Sequence, residues 1–215
     1  MSIAVAIKKV RRNLSDYGFG ETLRKGMSHL LQAVYVRRTY RIYRRDLRTV
    51  QWQDLAPEGI TFTVVDAGDT AVIRQIEGME EWLQGQLPGR LSQGMCIAAL
   101  DGASVAGFNL VAFREIAIPL LNMRKRLRPG QAWSEQISVR KDYRKQGLAS
   151  ALRFRVFSEL HRRSFRALYG GALLSNIASL KTAQKVGFRF IADARYLKVL
   201  NRECRRYRRI AHGAH

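Results

Sequence analysis

The run from Ser134 to Ser150 constrains this chain more than any other part of it. It reads as a strand, a tight basic turn carrying Arg144-x-x-Gly147-x-Ala149, and the first turn of a helix. At a helix start the backbone N–H groups have no internal partner and the helix dipole adds partial positive charge. Such a turn cradles an anion of phosphate type almost without side chains, and small residues at Gly147 and Ala149 let it approach the backbone.

The 215 residues are 47% hydrophobic, ample for a packed core, and suit one good-sized domain with an appendage or two small ones. Cys96 and Cys204 lie in no C-x-x-C or Cys/His cluster, so neither a disulfide framework nor a metal site is expected, and the reducing cytoplasm is the expected compartment. Met1 to Ile7 precede Lys8-Lys-Val-Arg-Arg12, the reverse of the charge order in a signal peptide, and no apolar run approaches the roughly 20 residues of a spanning helix.

The formal charge of +21 is concentrated towards the ends. Twelve Lys/Arg fall in residues 1 to 48 against Asp16, Glu21 and Asp46, a cluster from Arg202 to Arg209 closes the chain, and a third lies at Arg124 to Arg128. This density suits a polyanionic surface, whether anionic lipid, nucleic acid or an acidic partner, with a merely solvated face as the bland alternative. Leu23, Met27, Leu30, Leu31 and Val34 recur at helical spacing beside Arg24, Lys25, Arg37 and Arg38. That basic amphipathic helix either lies on a membrane surface or packs its stripe on the main domain.

A boundary near Trp52 to Gly59 leads into mixed α/β sequence. Ile60 to Val65 alternates as a half-buried strand, and Asp69 is placed to cap a helix starting near Ala71. A second helix is expected around Met79 to Leu87. Met95 to Leu100 and Ser104 to Phe113 flank Asp101-Gly102 as a hairpin. Trp133 to Val139 is the next strand, Leu148, Leu152, Val156 and Leu160 mark a helix with one buried stripe, and Ala167 to Leu174 is a further strand. Asn176 to Lys185 forms a helix stopped by Gly187, and Phe188 to Ile191 opens the final strands.

This order of elements, with Val139-Arg-Lys-Asp-Tyr-Arg144-Lys-Gln-Gly147-Leu-Ala149 followed by Asn176-Ile-Ala-Ser179 and Lys185-Val-Gly187-Phe188, resembles the GNAT superfamily of N-acetyltransferases over roughly residues 59 to 200. The resemblance implies an α+β fold: a twisted, mostly antiparallel mixed sheet splayed between its fourth and fifth strands, with helices on both faces. The organisation it suggests is a basic helical N-terminal extension over 1–56, an acetyltransferase domain over 57–205 and a basic tail over 206–215. Acetyl-CoA would be the acyl donor, with no metal. The backbone of Ile137 and Val139 would pair with the pantetheine arm. The amides of Arg144, Lys145, Gln146, Gly147, Leu148, Ala149 and Ser150 would hold the pyrophosphate, and Asn176 would reach the cofactor from the other side while capping its own helix.

Acetylating an amine requires a deprotonated nucleophile and a proton for the departing thiolate. Glu135 matches a glutamate that several amine acetylases of the superfamily carry at this place, and is the candidate base; its competing role is to bind a cationic acceptor or pair with an arginine. Many relatives carry a tyrosine where this chain has Ala183; the departing thiolate is then protonated by water or by a nearby tyrosine, with Tyr169 or Tyr196 as the candidate. The segment Ile118 to Gly130 is both apolar and basic, so the expected acceptor is a small amine bearing phosphate or carboxylate, an amino sugar among them. Two alternatives stand beside this: a ribosome- or RNA-associated protein acetyltransferase, and a degenerate acyl-CoA-binding protein in which Ala183 marks lost catalysis. The expected location is cytoplasmic, with the basic N-terminal helix offering contact to the cytoplasmic face of the membrane.

Overall fold

A computed structural model describes residues 35–49, 56–200 and 202–210, in two compact units: residues 1–38 with 195–206, and 39–194 with 207–215. The helix expected over Leu23 to Val34 and the start of the boundary segment at Trp52 lie outside the described residues.

The larger unit is organised by strands whose side chains alternate between two cores. In β3 (Gly94–Asp101), Met95, Ile97 and Ala99 enter one core, while Cys96 and Ala98 enter the other. That is what a strand buried on both faces requires. The first core is closed by α3 (Leu148–Arg162) and α4 (Ile177–Lys185), through Leu152, Val156, Leu160, Leu180 and Ala183. The second is closed by α1 (Thr70–Met79) and the short α2 (Leu87–Leu91), through Ile73, Ile76 and Leu87. Helices therefore lie on both faces of the sheet, and among the described residues none is long and apolar enough to cross a membrane.

With β1 (Tyr35–Asp46) entering this unit at Thr39, the remaining strands are β2 (Ile60–Val64), β4 (Ser104–Ala112), β7 (Gln131–Val139), β8 (Ala167–Leu173) and β9 (Arg189–Val199). Their order is β9-β1-β8-β7-β4-β3-β2. The described pairings are antiparallel except that of β7 with β8, which is parallel and confined to Gln131↔Ala167, Ala132↔Leu168 and Trp133↔Tyr169. Beyond Trp133 the two strands part, and this is the splay that the sequence resemblance implies. The segment from Ile118 onward forms a hairpin on its own, with β5 (Glu115–Ile118) paired to β6 (Met123–Arg126).

Three local expectations change. Tyr35–Asp46, assigned from sequence to a helical extension, is a strand whose residues Tyr40 to Asp46 pair antiparallel with β8. Its arginines find partners far along the chain, as Arg41 does with Asp193 at 2.8 Å. The second helix is a 3-10 turn at Glu81–Leu83 followed by α2, because Gly85 takes a positive φ and Pro88 starts the helix anew. Asp69 precedes α1 without capping it; its Oδ2 instead accepts from the Asp66 amide at 2.8 Å.

In the smaller unit the described residues are 35–38, 195–200 and 202–206. They include the end of β9 and the start of β10 (Arg202–Arg209), a strand exposed along its length that carries the expected tail boundary at 205/206 inside it.

Candidate active site

Glu135 is the extra residue of a β-bulge. Leu110 pairs with Gln136 and Val111 with Ser134, so nothing on β4 opposes Glu135. A bulge bends its strand and re-aims the inserted side chain. Here the carboxylate lines two cavities, one on each side of it. The first, about 230 Å³, occupies the splay between β7 and β8 and is walled by Ile137, Gly171, Asn176 and Ser179. The second, about 370 Å³, lies between α2 and the β5–β6 hairpin and is walled by Gly89, Arg90, Arg114, Glu115 and Arg124.

The splay cavity is continued by a third, about 530 Å³, lined by Val139, Arg144, Lys145, Gly147, Leu148, Ala149 and Ser150. Both walls run in step: β7 offers Ile137 to the splay and Val139 to the next cavity, while α4 offers Asn176 and Ser179, then Ala178, Thr182 and Lys185. The result is one track from Glu135 to the start of α3.

At the end of that track Gly147 takes φ +81° as the residue preceding α3, with open space where its Cβ would stand. The left-handed backbone is what requires glycine there, rather than crowding. The amides of Arg144 and Ser150 are already used, donating to Lys141 O at 3.2 Å and Gly147 O at 2.8 Å. Among the described residues those of Lys145, Gln146, Gly147, Leu148 and Ala149 meet no backbone acceptor, and Arg144, Lys145 and Lys185 surround them. The Gln146 side chain turns away to the Asp142 carbonyl at 3.0 Å, and the Val139 carbonyl accepts from Arg144 Nε at 3.1 Å. Asn176 caps α4, its Oδ1 accepting from the Ser179 amide at 3.1 Å, while also facing the splay.

Glu135 is ion-paired with Arg90, whose guanidinium also lies 5.2 Å from the Trp82 ring. The carboxylate is nearly buried, at 10% exposure. Around the second cavity Arg124 pairs with Glu115 at 3.2 Å, and among the described residues Arg114 has no carboxylate partner.

Tyr169 stands apart from this group. It sits where β7 and β8 are still paired, its hydroxyl accepting from Gln131 Nε2 at 3.3 Å, and it lines a different cavity. Tyr196 belongs to the smaller unit, where burial and Glu203 raise its pKa. Two tyrosines that sequence reasoning missed do line the splay, Tyr40 and Tyr43, both from β1. The Tyr40 hydroxyl donates to Gly171 O at 2.7 Å, and burial with neighbouring Tyr43 raises its pKa. Gly170 and Gly171 make room for both rings; a Cβ on Gly171 would fall 2.1 Å from Tyr40 Cε1. The signal in the sequence was Gly170-Gly171 itself, a pair with no turn to serve inside a strand. Behind Tyr43, buried Arg153 lies 5.7 Å from its ring and leaves Nε and one Nη unpartnered.

Residues 38–188 match the family model described as the acetyltransferase (GNAT) family. No curated protein matches the chain in sequence. Among solved structures it is similar to a GCN5-related N-acetyltransferase from Sphaerobacter thermophilus, with TM-score 0.55 and 19% identity over 90% of this chain and 58% of that one. It is similar also to a putative GNAT-family acetyltransferase from Novosphingobium aromaticivorans, with TM-score 0.51 and 16% identity over 74% of this chain and 62% of the other. A third is the glucosamine N-acetyltransferase region of a fungal multi-domain GH3 β-N-acetylglucosaminidase, with TM-score 0.58 and 13% identity over 81% of this chain and 22% of that one. The chain spans about three fifths of the length of the first two, and at these identities the likeness speaks for the fold. With a family model matching residues 38–188, well over half of its length, the chain belongs to the acetyltransferase (GNAT) family.

Proposed function

We propose that this protein transfers an acetyl group from acetyl-CoA to the primary amine of a small acceptor carrying a phosphate or carboxylate. The observation that carries the reading is Glu135, one carboxylate bordering both the cofactor track and the cleft on its other side. The pyrophosphate sits on the free amides of Lys145 to Ala149, the pantetheine arm runs past Val139 and Ile137, and the thioester reaches the splay beside Glu135. The amine enters from the cleft and displaces Arg90 from Glu135 as the carboxylate takes its proton. The nitrogen lone pair then forms the C–N bond, the C–S bond breaks, and the thiolate leaves with the sulfur electrons.

Tyr40 and Tyr43 bring phenol hydroxyls to the splay and are better placed than Tyr169 to return a proton to sulfur. Unpaired Arg114 at the cleft supports an anionic group on the acceptor, which also disfavours a free polyamine. An amino sugar bearing phosphate has that chemistry.

The test is thiol release with acetyl-CoA across amino sugar phosphates, amino acids and polyamines. Glu135→Gln should lower kcat by about 100-fold or more while leaving acetyl-CoA binding within about twofold. Equal turnover by the variant would remove Glu135 from the mechanism.

A further inference from the structure

The cavity bordered by Tyr169 serves neither the cofactor track nor the acceptor cleft. It is about 620 Å³, larger than either reaction cavity, and lies on the other face of the β5–β6 hairpin. Alternation along β5 divides the hairpin: Glu115 and Ala117 face the acceptor cleft, while Ile116 and Ile118 face this second cavity. Its floor is apolar and sheltered, built from Ile42, Ile118, Trp133 and Ile191. Its mouth is cationic and exposed, with Lys125, Arg126, Arg128 and Arg209. No aspartate or glutamate is among the lining residues, and among the described residues none of those four cations has a carboxylate partner.

We propose that this cavity is a binding site, separate from the acetyl-transfer site, for a single-chain amphiphile with an anionic head, bound as a free monomer. The two halves of the site set the two halves of the ligand. Apolar walls around a cavity of ligand size favour an alkyl chain, since each methylene buried there leaves water. Four unpaired cations at the mouth repel a cationic head and attract a phosphate or carboxylate, which arginine meets with two parallel hydrogen bonds. A wholly polar anion such as inorganic phosphate would leave the isoleucine and tryptophan walls uncompensated.

The probe is dodecyl phosphate, held below its micelle concentration and titrated into the full chain, followed by calorimetry and by tryptophan emission, to which Trp133 of the cavity floor contributes. Saturable one-to-one binding is expected, weakening roughly threefold for each methylene removed from the chain. Arg126→Glu and Arg209→Glu, both at exposed positions, should each weaken it about tenfold. Ala192→Phe, which fills the cavity from β9, should abolish it. Acetyl-CoA binding should be unchanged in all three variants, which also reports that they fold. The proposal fails if inorganic phosphate binds as tightly as dodecyl phosphate, or if dodecyltrimethylammonium does. It fails equally if the variants bind like the parent chain, or if only phosphatidylglycerol vesicles and never the monomer are bound.

Discussion

Single residues in this protein are set by conditions that their neighbours in sequence do not reveal. Gly147 has open space around its missing Cβ and a φ of +81°, so its replacement by alanine costs backbone strain alone. Gly147→Ala should lower stability by about 1–2 kcal/mol, read as a fall in thermal midpoint, and should weaken acetyl-CoA binding by tilting the adjoining amides. The two cysteines divide by burial. Cys96 is enclosed in the sheet and burial pushes its thiol up to about 12, whereas Cys204 is exposed. A thiol reagent at pH 8 should therefore label one cysteine per native chain quickly and the second only after denaturation. Arg153 was hidden from a sequence reading altogether. It follows Leu152 on a helix whose stripe was legible, yet it is buried against Tyr43 and Phe188, and only the fold brings those rings to it.

At the scale of elements, periodicity served well where a segment's partners were apolar. The β3–β4 hairpin, α3 and α4 could each be read from their own pattern, since alternation or a four-residue stripe reports the face that is buried. The strand β1 could not, because arginines interrupt its pattern and find their partners far along the chain: Arg41 pairs with Asp193, and Arg45 donates to the Gly187 carbonyl at 2.9 Å. The candidate site divides the same way. The turn at Gly147, with its left-handed backbone and unpaired amides, was local and legible, whereas the tyrosines of the splay came from a strand more than a hundred residues away. Two predictions belong here. A Cβ on Gly94 would stand 2.0 Å from the Val111 carbonyl oxygen of β4, so Gly94→Ala should cost about 2–3 kcal/mol in denaturant unfolding. Near the end of α3, Glu159 bonds Arg162 and Arg163, both at 2.7 Å. The bond from Arg162 holds its carboxyl below the usual range against the opposing effect of partial burial, with Arg163 adding to it. A depressed carboxyl pKa contributes stability above the unfolded value, near 4.3, and loses it as pH falls through the folded one. Glu159→Gln should therefore cost about 0.5 kcal/mol at pH 7, since the arginines are partly solvated, and the gap should close below pH 4.

For the whole molecule, the membership of β1 in the sheet decides how the chain can be cut. A sequence-based boundary near residue 57 would discard the strand that pairs with β8 from Tyr40 to Asp46, along with both tyrosines of the splay. A chain beginning at residue 57 should lose the cooperative thermal unfolding expected of the full chain; near-UV circular dichroism on heating decides it.

The parting of β7 from β8 has a mechanical consequence. Only three residue pairs, Gln131 to Trp133 against Ala167 to Tyr169, join the leaf β9-β1-β8 to the leaf β7-β4-β3-β2. A sheet loaded across its strands tears at its shortest seam, and this one ends where the V opens. Whatever lodges in that V, touching Ile137 on one leaf and Gly171 on the other, acts as a strut across the seam. A ligand seated there would lend the sheet part of its stiffness and take it away on leaving.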